Sequence, residues 1–441
     1  MFIMEETKMR KVLSVMCAVT MAGELLAGCG GSSAPATTAA PATTAAAETT
    51  AAAAETKAEE TKAEETKAEE TKAEETKAEA AGAGIAKEDL KIGIIYIGDE
   101  NEGYTESHMR GIETAVEELG LSKDQLIEKT NIGEDESCAD AAEDLVSDGC
   151  QLVFATSFGH EDYLMEVAKN HPDLQFAHAT GFQAATSGLD NFANYFDNIY
   201  EARYVSGIVA GMKLKEMIDE GKITADQAKI GYVGAYPYAE VISGFTSFFL
   251  GARSIVPEAT MKVLYTNSWA DLAAEAETAK QLISDGCVLI GQHADTTGAP
   301  SACQEEGVPC VGYNVDMTSV APDVALTSPT NNWAVYYKYA IECVMNGEKI
   351  KTDWAEGFNE DAVRITPLGK SIAAGTEDAV KAAEEAIKAG TLHVFDTSTF
   401  TVNGAPMEDS DYVFDGYFHE SELASAPAFS AIIDGIESVV E

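Results

Sequence analysis

His293 and Asp295 are the pair in this sequence most capable of chemistry. They stand two residues apart, just past the apolar run Val288 to Gly291, and on an extended segment both point the same way. An imidazole and a carboxylate so placed can share a proton, ligate a metal or bond a ligand. No third metal ligand is spaced with them, so no metal site is expected. The chain carries no nucleophile elbow, no phosphate-binding Gly-Lys-Ser loop and no dinucleotide fingerprint; Gly93 and Gly98 lack the glycines that must follow. No cofactor is implied. An enzyme would need a nucleophile or a paired acid and base, and neither is visible. What remains is a hydrogen-bonding pair for a bound small molecule, with no catalytic residue.

Other polar and aromatic segments follow apolar runs in the same way. They are Asp99 to Thr105, Ser157 to Asp162, Asn267 to Asp271, Asn314 to Asp316 and Thr330 to Trp333. None contains Lys or Arg. The candidate ligand residues are Tyr104, Thr105, Phe158, Asp162, Trp269, His293, Asp295, Asn314, Asp316 and Trp333. A flat, neutral, hydrogen-bonding ligand between Tyr104 and Trp269 suits such a set, and stacking contributes about 0.5–1.5 kcal/mol beyond burial. Two plainer roles compete: Trp269 and Trp333 as core residues, and Asp99 and Asp271 as helix caps.

The elements that must position these loops come from a duplication. Lys91-Ile92-Gly93-Ile94 returns as Lys229-Ile230-Gly231-Tyr232, 138 residues on, and Leu145 to Cys150 returns as Leu282 to Cys287, 137 residues on. That period is far too long for a solenoid and fits a lobe. In the first copy, apolar runs at 91–98, 151–156 and 175–180 read as buried parallel strands, with helices at 110–119 and 161–170. In the second, strands are expected at 230–234, 263–265, 288–291 and 310–313, and helices at 240–255 and 272–284. The fold class is therefore α/β, two similar doubly wound parallel-sheet lobes joined by a hinge. Ligands of such sheets bind outside the carboxyl ends of the strands, where every segment named above lies. Beyond Trp333 the sequence predicts a helix at 334–345 that can return to the first lobe. Strands follow at 363–366 and 393–402, flanking a helix at 377–389.

The N-terminus is of another kind. Arg10 and Lys11 precede the mostly apolar run Val12 to Leu26, and Leu26-Ala27-Gly28-Cys29 closes it. This is the order of a signal peptide, and the cysteine makes it a lipobox. Residues 1–28 are expected to be removed, leaving Cys29 acylated and the protein lipid-anchored outside the cell membrane. A low-complexity stretch follows, including a five-residue Ala-Glu-Glu-Thr-Lys repeat through Lys77. It has no apolar face and reads as a tether over 29–84. The expected organisation is then lobe 1 at 85–202, lobe 2 at 203–333 and a return segment at 334–441. The formal charge is -45, of which about -39 falls after residue 84. Such a surface repels nucleic acid. Cys138, Cys150, Cys287, Cys303, Cys310 and Cys343 show no Cys-x-x-Cys spacing and read as buried free thiols.

These residues resemble the BMP (basic membrane protein) family of solute-binding proteins, which includes the purine nucleoside receptors. The likeness runs from about Lys91 to Gly347. It rests on Gly103-Tyr104-Thr105-x-x-His108-x-x-Gly111, Tyr200 to Gly207, Trp269-x-Asp271, Gly291-Gln292-His293-x-Asp295 and Asn332-Trp333. The resemblance implies a type I periplasmic binding protein-like fold, a purine base or nucleoside held between the lobes, and an ABC transporter permease as partner, with the receptor a monomer. It implies stacking by Tyr104 and Trp269 and polar contacts from Thr105, His293, Asp295, Asn314 and Asp316. Nucleoside-binding members commonly carry a lysine where this chain has Thr330-Asn331, and Asp where it has Asn314. Both differences fall where ribose is held, which favours a free base or another flat heterocycle. A signalling receptor that presents its ligand to a membrane sensor has the same sequence features.

Overall fold

The computed structural model describes residues 84–440; the signal-like segment, Cys29 and the repeat lie outside the described residues. The first half of the chain runs β1 (Ile92–Ile95), α1 (Gly103–Glu118), β2 (Leu126–Lys129), α2 (Glu136–Ser147), β3 (Leu152–Ala155), α3 (Glu161–Asn170), β4 (Gln175–Ala179), α4 (Ala184–Ser187) and β5 (Phe192–Tyr195). The second runs α5 (Ile199–Asp219), β6 (Lys229–Gly234), α6 (Ala239–Ile255), β7 (Thr260–Tyr265), α7 (Leu272–Ser284), β8 (Leu289–His293), α8 (Gly298–Glu306), β9 (Cys310–Val311) and β10 (Pro329–Asn331). Then come α9 (Ala334–Asn346), β11 (Asp353–Trp354), β12 (Val363–Ile365), α10 (Thr376–Lys388), a small hairpin of β13 (Val413–Phe414) and β14 (Tyr417–Phe418), and β15 (Ile436–Val439).

The strands form two parallel sheets, ordered β2-β1-β3-β4-β5-β11 and β15-β7-β6-β8-β9. In the first, Ile92 faces Leu126 on one side and Leu152 on the other. In the second, Ile230 faces Met261 and Leu289. Both faces of β1 and β3 are buried, which is why their sequences are apolar without alternation. In each sheet the order reverses beside the first strand of the lobe, between β1 and β3 and between β6 and β8. That is the switch point at which doubly wound sheets open a crevice.

The chain crosses between the lobes three times. It leaves β5 through Asp197-Asn198 into α5, which packs along α6. It returns after β10, where α9 packs on α1 and β11 pairs with β5, setting Asp353 opposite Asn194. It leaves again to β12, which pairs antiparallel with β10, and ends in β15, paired with β7. The Asn198 amide donates to the Glu356 carbonyl at 2.8 Å, so two of the crossings run side by side.

The stretch 393–402, expected to be a strand, is a series of turns instead. Asp396 accepts from the Ser398 amide at 2.9 Å, and Phe395 stacks on Phe429 with centroids 4.5 Å apart. The apolar residues there bury rings in a local cluster rather than joining a ladder. The six described cysteines are all buried and free.

Candidate functional site

Between the two switch points lies a cleft enclosing about 360 Å³ of space outside the protein atoms, the solvent at its mouth included. The first lobe contributes Ile97, Tyr104, Thr156, Ser157, Phe158 and Thr180 to its wall. The second contributes Glu240, Trp269, His293, Asp295 and Tyr313.

Tyr104 is delivered by the start of α1. Glu102 caps that helix, accepting from the Tyr104 amide at 2.8 Å and the Thr105 amide at 2.9 Å. The Tyr104 hydroxyl donates to the Thr156 carbonyl at 2.7 Å, tying β1's loop to β3's. His108 meets the ring edge-on at 4.5 Å, and Trp333 does so at 6.2 Å. The ring is thereby held in one orientation before any ligand arrives.

The second lobe places Trp269 by a backbone bond: its carbonyl accepts from the Asp295 amide at 2.9 Å. Asp295 itself accepts from Asn314 Nδ2 at 2.8 Å. His293 Nε2 lies 3.3 Å from Glu240 Oε1. Its ring packs against α6 at Gly244, where an added Cβ would stand 2.6 Å from Nδ1, so no larger residue fits without displacing the imidazole. Arg203, on α5, is buried behind this wall. Its guanidinium lies 3.6 Å from the Tyr313 ring centroid, and Nη1 donates to Tyr232 Oη and the Gln292 carbonyl at 2.7 Å each.

The electrostatics are one-sided. No Lys or Arg lines the cavity. Burial holds His293 well below its ordinary pKa, and Arg203 adds to the effect, so the ring is neutral. Burial raises Glu240 to about 7, against the pull of Arg203. Burial and the carboxylates of Glu102, Glu275 and Glu240 push Asp295 well above the usual carboxylate range. Such a wall receives donors and repels anions.

The lobes touch across the cleft. The Gly103 amide donates to the Asp295 carbonyl at 2.9 Å, and an added Cβ at 103 would stand 3.1 Å from that oxygen. Phe158 of the first lobe stacks on Tyr238 of the second, 5.6 Å between centroids. This is a closed conformation.

Of the ten residues expected from sequence, Tyr104, Phe158, Trp269, His293 and Asp295 line the cavity. Asn314 stands one step back, on Asp295. The others are elsewhere. Trp333 is fully buried, its indole N–H donating to Ser107 and its face stacked on His108 at 4.1 Å, so it supports Tyr104 from behind. Thr105 is buried under the Gly98 amide, which donates to its hydroxyl. Asp162 is exposed and accepts from Gln183, and Asp316 is exposed and caps the turn at Thr318. Asp271 caps α7, while Asp99 binds Asn101 and Asn131 and caps no helix. Sequence reasoning missed Ile97, Thr156, Ser157, Thr180, Glu240 and Tyr313. Glu240 carried a signal, since it opens the helix after β6. Thr156 and Thr180 end apolar strands and gave none.

The chain matches the family model of the Bmp, PnrA-like ABC transporter substrate-binding proteins over residues 91–397. The chain belongs to this family. It is thus the extracytoplasmic solute-binding component of an ABC transporter, a binding protein and not an enzyme. A purine-binding protein of Brucella abortus is 36% identical over 319 residues, 71% of this chain and 85% of that one. A protein of Haloferax volcanii, provisionally named an ABC transporter glucose-binding protein, is 33% identical over 249 residues, 56% of this chain and 60% of that one. Among solved structures, a solute-binding protein of an ABC transporter system from Aeropyrum pernix superposes with a TM-score of 0.59 at 17% identity, covering 69% of this chain and 93% of that one. One from Conexibacter woesei gives 0.53 at 19%, covering 69% and 98%. These structures share the fold. Among the described residues, no helix is long and apolar enough to cross a membrane.

Proposed function

We propose that this chain is a lipid-anchored, monomeric receptor that closes on a purine base and passes it to an ABC permease. One observation carries the ligand class: Tyr104 and Trp269, from different lobes, share a cavity with Asp295, Glu240 and neutral His293, and no cation lines it. A flat heterocycle with ring N–H groups suits that combination, whereas a phosphorylated ligand finds no cation there and two acidic groups. The purine-binding relative supports the reading. In this reading Tyr104, Phe158 and Trp269 contact the ring faces and Asp295 the edge, with His293 engaged on Glu240 beside it and Asn314 fixing Asp295. Residues 1–28 are the signal peptide, Cys29 to residue 84 the anchor and tether, and 85–202, 203–333 and 334–441 the two lobes and the return segment.

Calorimetry against adenine, guanine, hypoxanthine, xanthine and their nucleosides tests it, with glucose as the competing class. At least one purine should bind at micromolar strength or better, about -8 kcal/mol. No heat and no thermal shift with any purine, or binding of glucose alone, overturns the assignment.

A further inference from the structure

Most hydroxyl donors of the cavity are already committed, while two carboxyl groups keep open oxygens. Tyr104 Oη donates to the Thr156 carbonyl at 2.7 Å, Thr156 Oγ1 to the Ile95 carbonyl at 3.2 Å, and Ser157 Oγ to Glu134 at 2.7 Å. Thr180 Oγ1 donates to the Ala179 carbonyl. His293 Nε2 is spent on Glu240, and its Nδ1 is turned against α6. What is left for a ligand edge is the carboxyl groups of Glu240 and Asp295. The donors that remain are the Tyr313 hydroxyl, buried without a partner, and the Trp269 indole.

We propose that the Glu240–Asp295 pair makes this cleft selective for aminopurines, reading an exocyclic amine as a donor and discriminating against oxo-purines of the same size. The inference rests on the purine reading. An amine gives the ionised Glu240 carboxylate the N–H group it lacks. A carbonyl oxygen facing that carboxylate sets acceptor against acceptor in a dry site, where both lose their hydration and neither gains a bond; Asp295, which burial pushes toward its protonated form, adds a carboxyl oxygen beside it. A site built to bond a ligand N–H rejects an analogue lacking it by about 10⁴–10⁵ when every partner is buried. With Tyr313 able to satisfy one oxygen, a preference of at least about 100-fold is expected here.

Proton linkage gives a second, independent readout. Glu240 faces His293 on β8, Arg203 on α5, Tyr104 on α1 and the carboxyl of Asp295, with Tyr313 beside it. Burial raises its carboxyl to about 7. An amine donates to the ionised form, so affinity for adenine should rise from pH 6 to pH 8 and then level. A carbonyl oxygen would need the protonated carboxyl as its donor, and affinity for hypoxanthine should fall over the same range.

The experiment is calorimetry with adenine against hypoxanthine and guanine against xanthine at pH 7.5, then adenine and hypoxanthine from pH 6 to 8. It is repeated with Glu240→Gln and Asp295→Asn, whose amides offer a donor and should shrink the amine preference at least tenfold. Purines that bind with oxo forms equal or tighter, or an adenine affinity that falls as pH rises, overturn the selectivity and leave the purine reading standing. If no purine binds, the purine reading itself falls and takes this inference with it. Should either variant fail to fold, the wild-type ratio and pH profile still decide.

Discussion

Phe158 and Tyr238 lie nearly face to face across the cleft mouth, 29° between ring planes, one ring from each lobe. The stack continues on both sides, to Phe182 in the first lobe and to Tyr236 in the second. Both central rings are about two-fifths exposed, so closure joins two solvent-facing aromatics and leaves neither in the core. A contact formed only on closing stabilises the closed state and slows release without contributing to either open lobe.

Tyr238→Ala should therefore weaken ligand binding by about 0.5–1.5 kcal/mol, the range for an aromatic pair. The change should fall on the dissociation rate. Stopped-flow release and the melting temperature of the empty protein check this together. A lower melting temperature with an unchanged release rate would mean that Tyr238 holds its own lobe together and is no latch.

Gly103 offers a test of closure through the backbone. Its amide bond to Asp295 joins the lobes, and a Cβ would crowd the accepting oxygen at 3.1 Å. Gly103→Val puts branched bulk into that gap. It should weaken ligand binding at least fivefold while each open lobe tolerates it. Small-angle scattering should show the variant failing to contract on adding ligand; full contraction would show that the gap is not needed for closure.

Trp269→Ala should cost about 1–3 kcal/mol of binding, combining lost burial and lost stacking. The ring is only partly buried even in the closed form. The empty protein's melting temperature should thus hardly move. Unchanged affinity would remove Trp269 from the ligand site.

The lobes were legible in the sequence because parallel strands buried on both faces leave unmistakable apolar runs, twice over at nearly the same offset. The short partners were not. Leu126–Lys129 is two apolar residues followed by two charged ones at a sheet edge, and Asp353-Trp354 is only two residues long. Within the site, aromatic and His-x-Asp loop residues were legible because loops at strand ends rarely carry such side chains without cause. Trp333 misled for the same reason, since its motif neighbour Asn332 looks like loop while the indole is the ceiling over His108. Arg203 stood in the family motif, but its place behind Tyr313 depends on how α5 packs against the second sheet, which no local pattern encodes.

The anchor is tested by Cys29→Ser. Without the thiol, acylation cannot occur, and the protein should appear in the culture fluid or remain uncleaved. A mature variant that still partitions into detergent would contradict the lipobox reading.

Acid stability offers a last test, and its sign follows from opposing groups. Burial lowers His178 to about 3, well below the roughly 6.5 of an unfolded histidine, and His108, His160 and His293 shift the same way. Below pH 6.5 the unfolded chain takes up protons that these folded rings refuse, so each one removes stability as pH falls toward 3. Glu201, Glu240, Glu275 and Glu420 are raised to about 7, and so bind protons in the folded state before the unfolded chain does. They add stability as pH falls from 7 to about 4.5, the ordinary glutamate range. The two sets oppose each other between 6.5 and 4.5, with the raised Asp197 and Asp295 on the side of the glutamates. Stability should therefore hold there and drop below about 4.5, where the histidines still act and Asp99, Asp135, Asp285, Asp323 and Asp434, held low by hydrogen bonds, also begin to lose their charge. His178 donates from Nε2 to the Ser157 carbonyl at 2.7 Å, a bond that a glutamine amide can replace. His178→Gln should therefore lose on the order of 2–3 kcal/mol less than the wild type between pH 7 and pH 4, since each pH unit of differential protonation is worth about 1.36 kcal/mol. Urea unfolding at pH 7, 5.5 and 4 measures the difference, and parallel losses in the two proteins would show that His178 titrates normally in the fold.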